Sequence, residues 1–202
     1  MPPEHYFSAE PAANFKPRKI EVDLVGKRVS VTTAGSIFSP EHLDTGTAVL
    51  LEHLDENPEA RNILDIGCGW GPISLALAMK NPSATVWAVD VNQRALELTE
   101  LNARNLGLSN VRVATPEDVP AEIEFDEIWS NPPIRVGKEV LHSILKTWLP
   151  RLSMGADALL VVQKNLGADS LLRWLQDEFE SHESSRVDTA KGFRVLQVIR
   201  KI

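Results

Sequence analysis

Short, nearly continuous apolar runs recur along this chain, separated by stretches whose apolar positions repeat every three to four residues. Asn62–Ile66 (NILDI) and Ala84–Val89 (ATVWAV) are branched and apolar throughout, as strands covered on both faces of a parallel sheet are. Val111 with Val113, Phe125 with Ile128 and Trp129, and Ala158–Val162 extend the series. Between them Ile73–Met79, Asn92–Asn105, Val140–Leu149 and Leu171–Leu175 carry helical spacing, with Trp148 and Trp174 on the core side. Strand alternating with helix predicts an α/β fold with a mostly parallel sheet.

The two ends depart from that rhythm. Ile20, Val22 and Leu24, then Val29 and Val31, alternate with polar residues around Gly26-Lys27, which predicts a small N-terminal β-hairpin. Ser181–Val187 and Gly192–Ile199 predict strands that close the sheet in antiparallel fashion. Met1–Pro17 holds four prolines and no regular pattern, although His5, Tyr6 and Phe7 could pin it to the body. The expected organisation is an arm and hairpin over residues 1–34 and one domain over 35–202. A helix is expected from Thr45–Thr47 through Leu54, capped by Asp44 or Thr45.

Composition narrows the function classes. At 202 residues the chain suits one well-buried domain. A formal net charge of −7 gives no global basic field, so a nucleic-acid site would have to be a local patch. The one cysteine excludes an internal disulfide. No apolar run approaches the ~20 residues of a membrane span or follows a secretory signal, so a cytoplasmic location and no membrane partner are expected.

The candidate chemistry begins where the first buried strand ends. Gly67, Gly69 and Gly71 let the backbone turn and approach a ligand, and Pro72 suits the first turn of a helix. The next strand delivers Asp90 to the same sheet edge, where a carboxylate can accept both hydroxyl hydrogens of a ribose. The spacing is Gly-x-Gly-x-Gly, and Pro72 occupies the last glycine place of a dinucleotide fingerprint. Asp65, an acid inside an apolar strand, requires a partner. Cys68 lies between two loop glycines, and no motif pairs it with a base, so it reads as a small packing residue.

A second group of residues stands at the end of the fourth strand, in Phe125–Arg135 (FDEIWSNPPIR). The diproline removes two N–H donors and holds the preceding residue extended. Asn131 and the Pro132 carbonyl could then accept both hydrogens of an exocyclic amine, with Pro133 and Ile134 completing the turn. If acceptance is all that the position needs, Asn131→Asp should keep part of the activity. Arg135 and Lys138 lie where a substrate phosphate could pass, and Lys164, also a candidate for substrate binding, could join Lys191 and Arg194 in a basic rim.

The D-x-G-x-G-x-G arrangement from Asp65 resembles the first motif of S-adenosylmethionine-dependent methyltransferases of Rossmann-like fold. With FS...LDTGT, LDIGCGWG, VDVN, NPPIRVGK, QKNLGA and KGFRVL, nearly the whole chain is similar to the small methyltransferase domain family. That family includes ribosomal small-subunit guanine-N2 methyltransferases. The resemblance implies a class I methyltransferase sheet with an antiparallel C-terminal strand, and S-adenosylmethionine as cofactor. It also implies methyl transfer to guanine N2 of 16S ribosomal RNA, with the RNA or the small subunit as partner and no metal. Carried over residue by residue, Phe38 and Thr47 close over the methionine end, beside Asp65, Gly67, Cys68 and Gly69. Asp90 lies on the ribose, Val91 joins the cofactor-binding residues, Glu117 faces the adenine amine, and Asn131–Ile134 form the catalytic turn. Ile134 stands where many amino-methyltransferases carry an aromatic residue.

Other readings stay open on sequence alone. Glutamine-amide and adenine-N6 methylation share the amine-orienting geometry. A nicotinamide-dependent oxidoreductase is disfavoured by Pro72 and by the absence of a Tyr-x-x-x-Lys motif. A non-catalytic nucleoside-binding module would be expected to carry damaged motifs.

Overall fold

In the computed structural model, residues 17–35, 37 and 39–202 are described, Arg135 by its backbone only. The proline-rich arm with His5, Tyr6 and Phe7 lies outside the described residues, as does Phe38. A seven-stranded sheet has the order β5-β4-β3-β6-β7-β9-β8. At its centre β3 (Asn62–Ile66) pairs in parallel with β4 (Thr85–Val89) and β6 (Phe125–Ser130). β5 (Val111–Ala114) and β7 (Leu152–Gln163) extend the parallel part on either side. β9 (Phe193–Arg200) inserts antiparallel between β7 and β8 (His182–Ala190), so β9 alone runs against the other six. The chain goes from β3 outward to β4 and β5, then returns to place β6 on the other side of β3. The ends of β3 and β6 therefore border a topological switch point, where open α/β sheets bind ligands.

Both sheet faces are covered, which is why the strands read as unbroken apolar runs. Ile63 faces α1 (Thr45–Leu51) and α2 (Pro72–Lys80) through Val49, Leu50, Ile73 and Leu77. Its neighbour Leu64 faces the opposite side, toward Leu141, Leu145 and Trp148 of α4 (Lys138–Trp148) and Leu171 and Leu175 of α5 (Ala168–Glu178). α1 ends at Leu51, short of the expected Leu54, although Leu54 is itself buried. Trp174 is only partly buried, stacked on His142 with ring centroids 3.6 Å apart.

The hairpin of β1 (Pro17–Leu24) and β2 (Lys27–Ala34) turns at Val25-Gly26, one residue earlier than the sequence pattern indicates. Val25 takes φ 51°, unusual for a β-branched residue, and its side chain packs against two core clusters. Val22, Leu24 and Val31 share a cluster with Trp70, Leu75 and Leu98, the last on α3 (Gln93–Asn105). Asn102 of α3 laces this contact. It accepts from Thr32 N (2.7 Å) and donates to Thr32 O and Trp70 O, each at 2.9 Å.

Candidate active site

The ends of β3, β4, β6 and β7 enclose, with α1 and the start of β9, a cavity of about 430 Å³. Its wall brings together Asp44 and Thr47 of the α1 start, Gly67–Trp70, Pro72 and Ile73, Asp90, Asn131–Ile134, and Gln163, Leu166 and Phe193.

After β3 the backbone swings so that the N–H groups of Gly67 and Cys68 both donate to Val89 O, at 2.7 and 3.1 Å. Gly67 has φ 77°, and no atom lies within 4 Å of where its Cβ would stand, which leaves room for a ligand against the backbone. Gly71 (φ 96°) caps α2, and a Cβ there would meet Thr99 at 3.0 Å. Thr99 Oγ1 donates to Gly69 O (3.1 Å), fixing the middle of the loop.

Asp65 lies beneath this loop, fully buried and off the cavity wall. Its Oδ2 accepts from Ser74 N (3.0 Å) and Ser74 Oγ (2.5 Å) in the first turn of α2, while Oδ1 has no partner. Burial lifts its carboxyl from 3.8 to about 7, with Ser74 pulling down and the Asp90 charge adding a smaller push upward. The partner that the sequence required is thus a serine nine residues on, and Asp65 reaches a ligand only through the loop it underlies.

Asp90 is on the wall. Its Oδ2 accepts from Gly69 N (3.0 Å) and its Oδ1 from Asn92 N (2.9 Å), and each oxygen retains a lone pair for a further donor. Burial raises its carboxyl, opposed by the N–H groups of Asn92, Gly69 and Val91. Cys68 is also on the wall, and burial pushes its thiol well above the usual range, so it is an inert packing group.

Asn131 has a fixed orientation. Its Nδ2 donates to Asp44 Oδ2 (2.9 Å) and Thr47 Oγ1 (3.0 Å). A carboxylate only accepts, so the amide nitrogen must face Asp44, which turns Oδ1 away. Beyond it, Ile134 N donates to Pro132 O (2.8 Å) across Pro133 (φ −74°, ψ 76°), an inverse γ-turn. Ile134 lines the cavity.

Several expected site residues are elsewhere. Val91 is 46 % exposed and off the wall, because Asn92 turns the chain by accepting from Arg94 N to cap α3. Glu117 is exposed in a short turn, Pro116–Asp118, also off the wall. Lys138 and Lys164 are exposed and do not line the cavity. The side chain of Arg135, like Phe38, lies outside the described residues. Arg194 is buried and paired with Asp169, and Lys191 pairs with Glu52, so neither forms a free basic rim. Conversely, Gln163, Leu166 and Phe193 belong to the wall although only their strings, QKNLGA and KGFRVL, stood out in the sequence. Asp44 was legible as a helix cap and as part of the string FS...LDTGT, but not as the partner of Asn131.

A family model described as Methyltransferase small domain matches residues 28–197. The chain belongs to this family. This methyltransferase small domain is 34% identical over 197 residues to Uncharacterized protein YbxB of Bacillus subtilis, covering 96% of the chain and 97% of that relative. It is 29% identical over 201 residues to Ribosomal RNA small subunit methyltransferase C of Pseudomonas entomophila. There it covers 98% of the chain and only 58% of the relative. Among solved structures, the T. Thermophilus 16S rRNA N2 G1207 methyltransferase (RsmC), in complex with AdoMet and guanosine, superposes with a TM-score of 0.77. That match has 22% identity and covers 96% of this chain and 53% of the other, a likeness of fold. The domain thus spans little more than half the length of these two methyltransferases. The α/β sheet with its reversed β9 and N-terminal hairpin is the architecture expected of the family.

Proposed function

We propose that this domain transfers a methyl group from S-adenosylmethionine to an exocyclic amine, guanine N2 of 16S ribosomal RNA being the acceptor. The observation that carries the reading is Asn131, whose amide oxygen is turned away from Asp44 and Thr47 in the cavity that also holds Asp90. The names of the methyltransferase C relatives, and the guanosine and AdoMet in the RsmC complex, support the same acceptor and donor.

The wall fits the cofactor. Its volume falls within the roughly 300–1,000 Å³ of small-molecule sites. Asp90 keeps lone pairs for the ribose hydroxyls, and the open space over Gly67 accommodates the methionine part. When bound, S-adenosylmethionine would supply an electrophilic methyl on a sulfonium that leaves as a neutral thioether, while the amine nitrogen, once bonded to the methyl carbon, gives up one proton to solvent water. Asn131 Oδ1 and the second lone pair of Pro132 O accept the two amine hydrogens and hold the nitrogen in place, so positioning does most of the work. Ile134, Leu166 and Phe193 offer the flat base an apolar surface where the motif lacks its aromatic residue. Exposed outside the wall, Lys138 and Lys164 meet the RNA phosphates beyond the cavity mouth, and Val91 and Glu117 reach the cofactor only from outside that wall.

The test is incubation with methyl-labelled S-adenosylmethionine and, separately, assembled small ribosomal subunits, deproteinised 16S RNA and total protein, followed by nucleoside and amino-acid analysis. N2-methylguanosine in the RNA is the expected product. Label in methylglutamine or N6-methyladenine contradicts the acceptor, and binding of NADH without S-adenosylmethionine contradicts the whole reading.

A further inference from the structure

We infer that Asp44 is a positioning residue for the acceptor site: one of its oxygens sets the orientation of Asn131 and thereby decides that an oxygen faces the substrate amine. This deepens the function proposed above and rests on it. Asp44 Oδ2 accepts both from Thr47 N (3.0 Å), as the N-cap of α1, and from Asn131 Nδ2 (2.9 Å). The second hydrogen of Nδ2 goes to Thr47 Oγ1 (3.0 Å), and Thr47 is 2 % exposed. With both hydrogens committed to α1, the amide cannot flip without pointing its oxygen at a carboxylate. A neutral carboxamide alone has no such preference, since either end can serve a passing donor or acceptor. Asp44 also makes the register of α1 part of the site, because the oxygen that starts the helix is the one that holds the amide.

The contact with Asp44 reverses the expectation, drawn from sequence, that Asn131→Asp keeps part of the activity. Asn131→Asp keeps an acceptor, yet it sets a second carboxylate within hydrogen-bond distance of Asp44, and two such groups cannot both stay ionised at that separation. The exchange Asp44→Asn with Asn131→Asp restores one donor facing one carboxylate, with an acceptor oxygen still directed at the substrate.

The experiment measures turnover on small ribosomal subunits and S-adenosylmethionine affinity, separately, for Asp44→Ala, Asn131→Asp and the double exchange. Thermal unfolding of all variants is followed without substrate. Expected are a loss of turnover of about 100-fold for Asp44→Ala with cofactor affinity held, a comparable loss for Asn131→Asp, and substantial recovery in the double exchange. The unfolding midpoint should fall in Asn131→Asp and return in the double exchange. If Asp44→Ala weakens cofactor binding as much as turnover, or if the exchange restores neither turnover nor midpoint, the inference is overturned. Wild-type protein inactive on every acceptor contradicts the proposed function instead, and the midpoints then decide the Asp44–Asn131 relation by themselves.

Discussion

The backbone N–H of Gly69 donates to Asp90 Oδ2 at 3.0 Å, tying the acid at the end of β4 to the glycine loop after β3. Asp90 therefore both shapes the loop and presents oxygens to the cavity. Asp90→Ala should weaken S-adenosylmethionine binding by roughly 1.5–3 kcal/mol, the worth of charge-assisted hydrogen bonds. It should also lower stability, because the N–H groups of Gly69 and Asn92 lose their acceptor. Calorimetric titration alongside thermal unfolding checks both. Unchanged affinity would show that Asp90 serves the loop alone.

Asp65 predicts a pH dependence of stability. Its folded carboxyl is raised from 3.8 to about 7, chiefly by burial, so the folded state holds this proton more tightly than the unfolded chain does. The stabilising contribution is complete below about pH 4 and is lost as pH climbs through about 7. Asp90 and Glu127, also raised by burial, act in the same direction. Asp65→Asn should flatten the decline between those limits by on the order of 4 kcal/mol. Denaturant titrations across the range measure it, and an unaltered slope in the variant refutes the assignment.

Much of this site was legible because its parts are local. Strand, glycine loop and helix start follow one another over Asn62–Pro72, and the acid of β4 and the diproline of β6 are strand-end residues, read from pattern and turn chemistry. What escaped depends on topology. Asp44 and Asn131 are 87 residues apart, and only the placement of α1 beside the end of β6 joins them. Phe193 and Gln163 reach the cavity because β9 inserts next to β7, an order that no local pattern specifies. The hairpin turn moved to Val25-Gly26 because packing of the Val25 side chain outweighs its backbone preference, a competition invisible to turn propensities.

Gly46 tests the fit of α1 against β9. A Cβ there would stand 2.7 Å from Cε1 and 2.9 Å from Cδ1 of the Phe193 ring. Gly46→Ala should cost about 1–3 kcal/mol by overpacking and reduce turnover, both by displacing Phe193 from the wall and by crowding Asp44 Oδ2, which would lie 3.0 Å from the new Cβ. Unfolding curves and activity on small subunits report the two effects, and a variant as stable as wild type would mean that the ring moves freely.

Asn102 holds the hairpin to the glycine loop through three buried hydrogen bonds. Asn102→Ala leaves Thr32 N, Thr32 O and Trp70 O without this partner, at a cost of about 1–3 kcal/mol for each group left unsatisfied. Hydrogen exchange should show the amides of β2 opening more readily than those of β3. Uniform protection in the variant would mean that the apolar cluster around Trp70 and Leu75 suffices.

In the proposed mechanism Asn131 orients the acceptor amine and makes no demand on cofactor binding. Turnover on the true acceptor and S-adenosylmethionine affinity, determined separately for Asn131→Ala, test it most directly. The diproline should hold the turn in place, affinity should remain near wild type, and turnover should fall by the ~2.7–4 kcal/mol of a lost preorganised contact, about two to three decades. Normal turnover in Asn131→Ala, or a loss confined to cofactor affinity, would contradict the account.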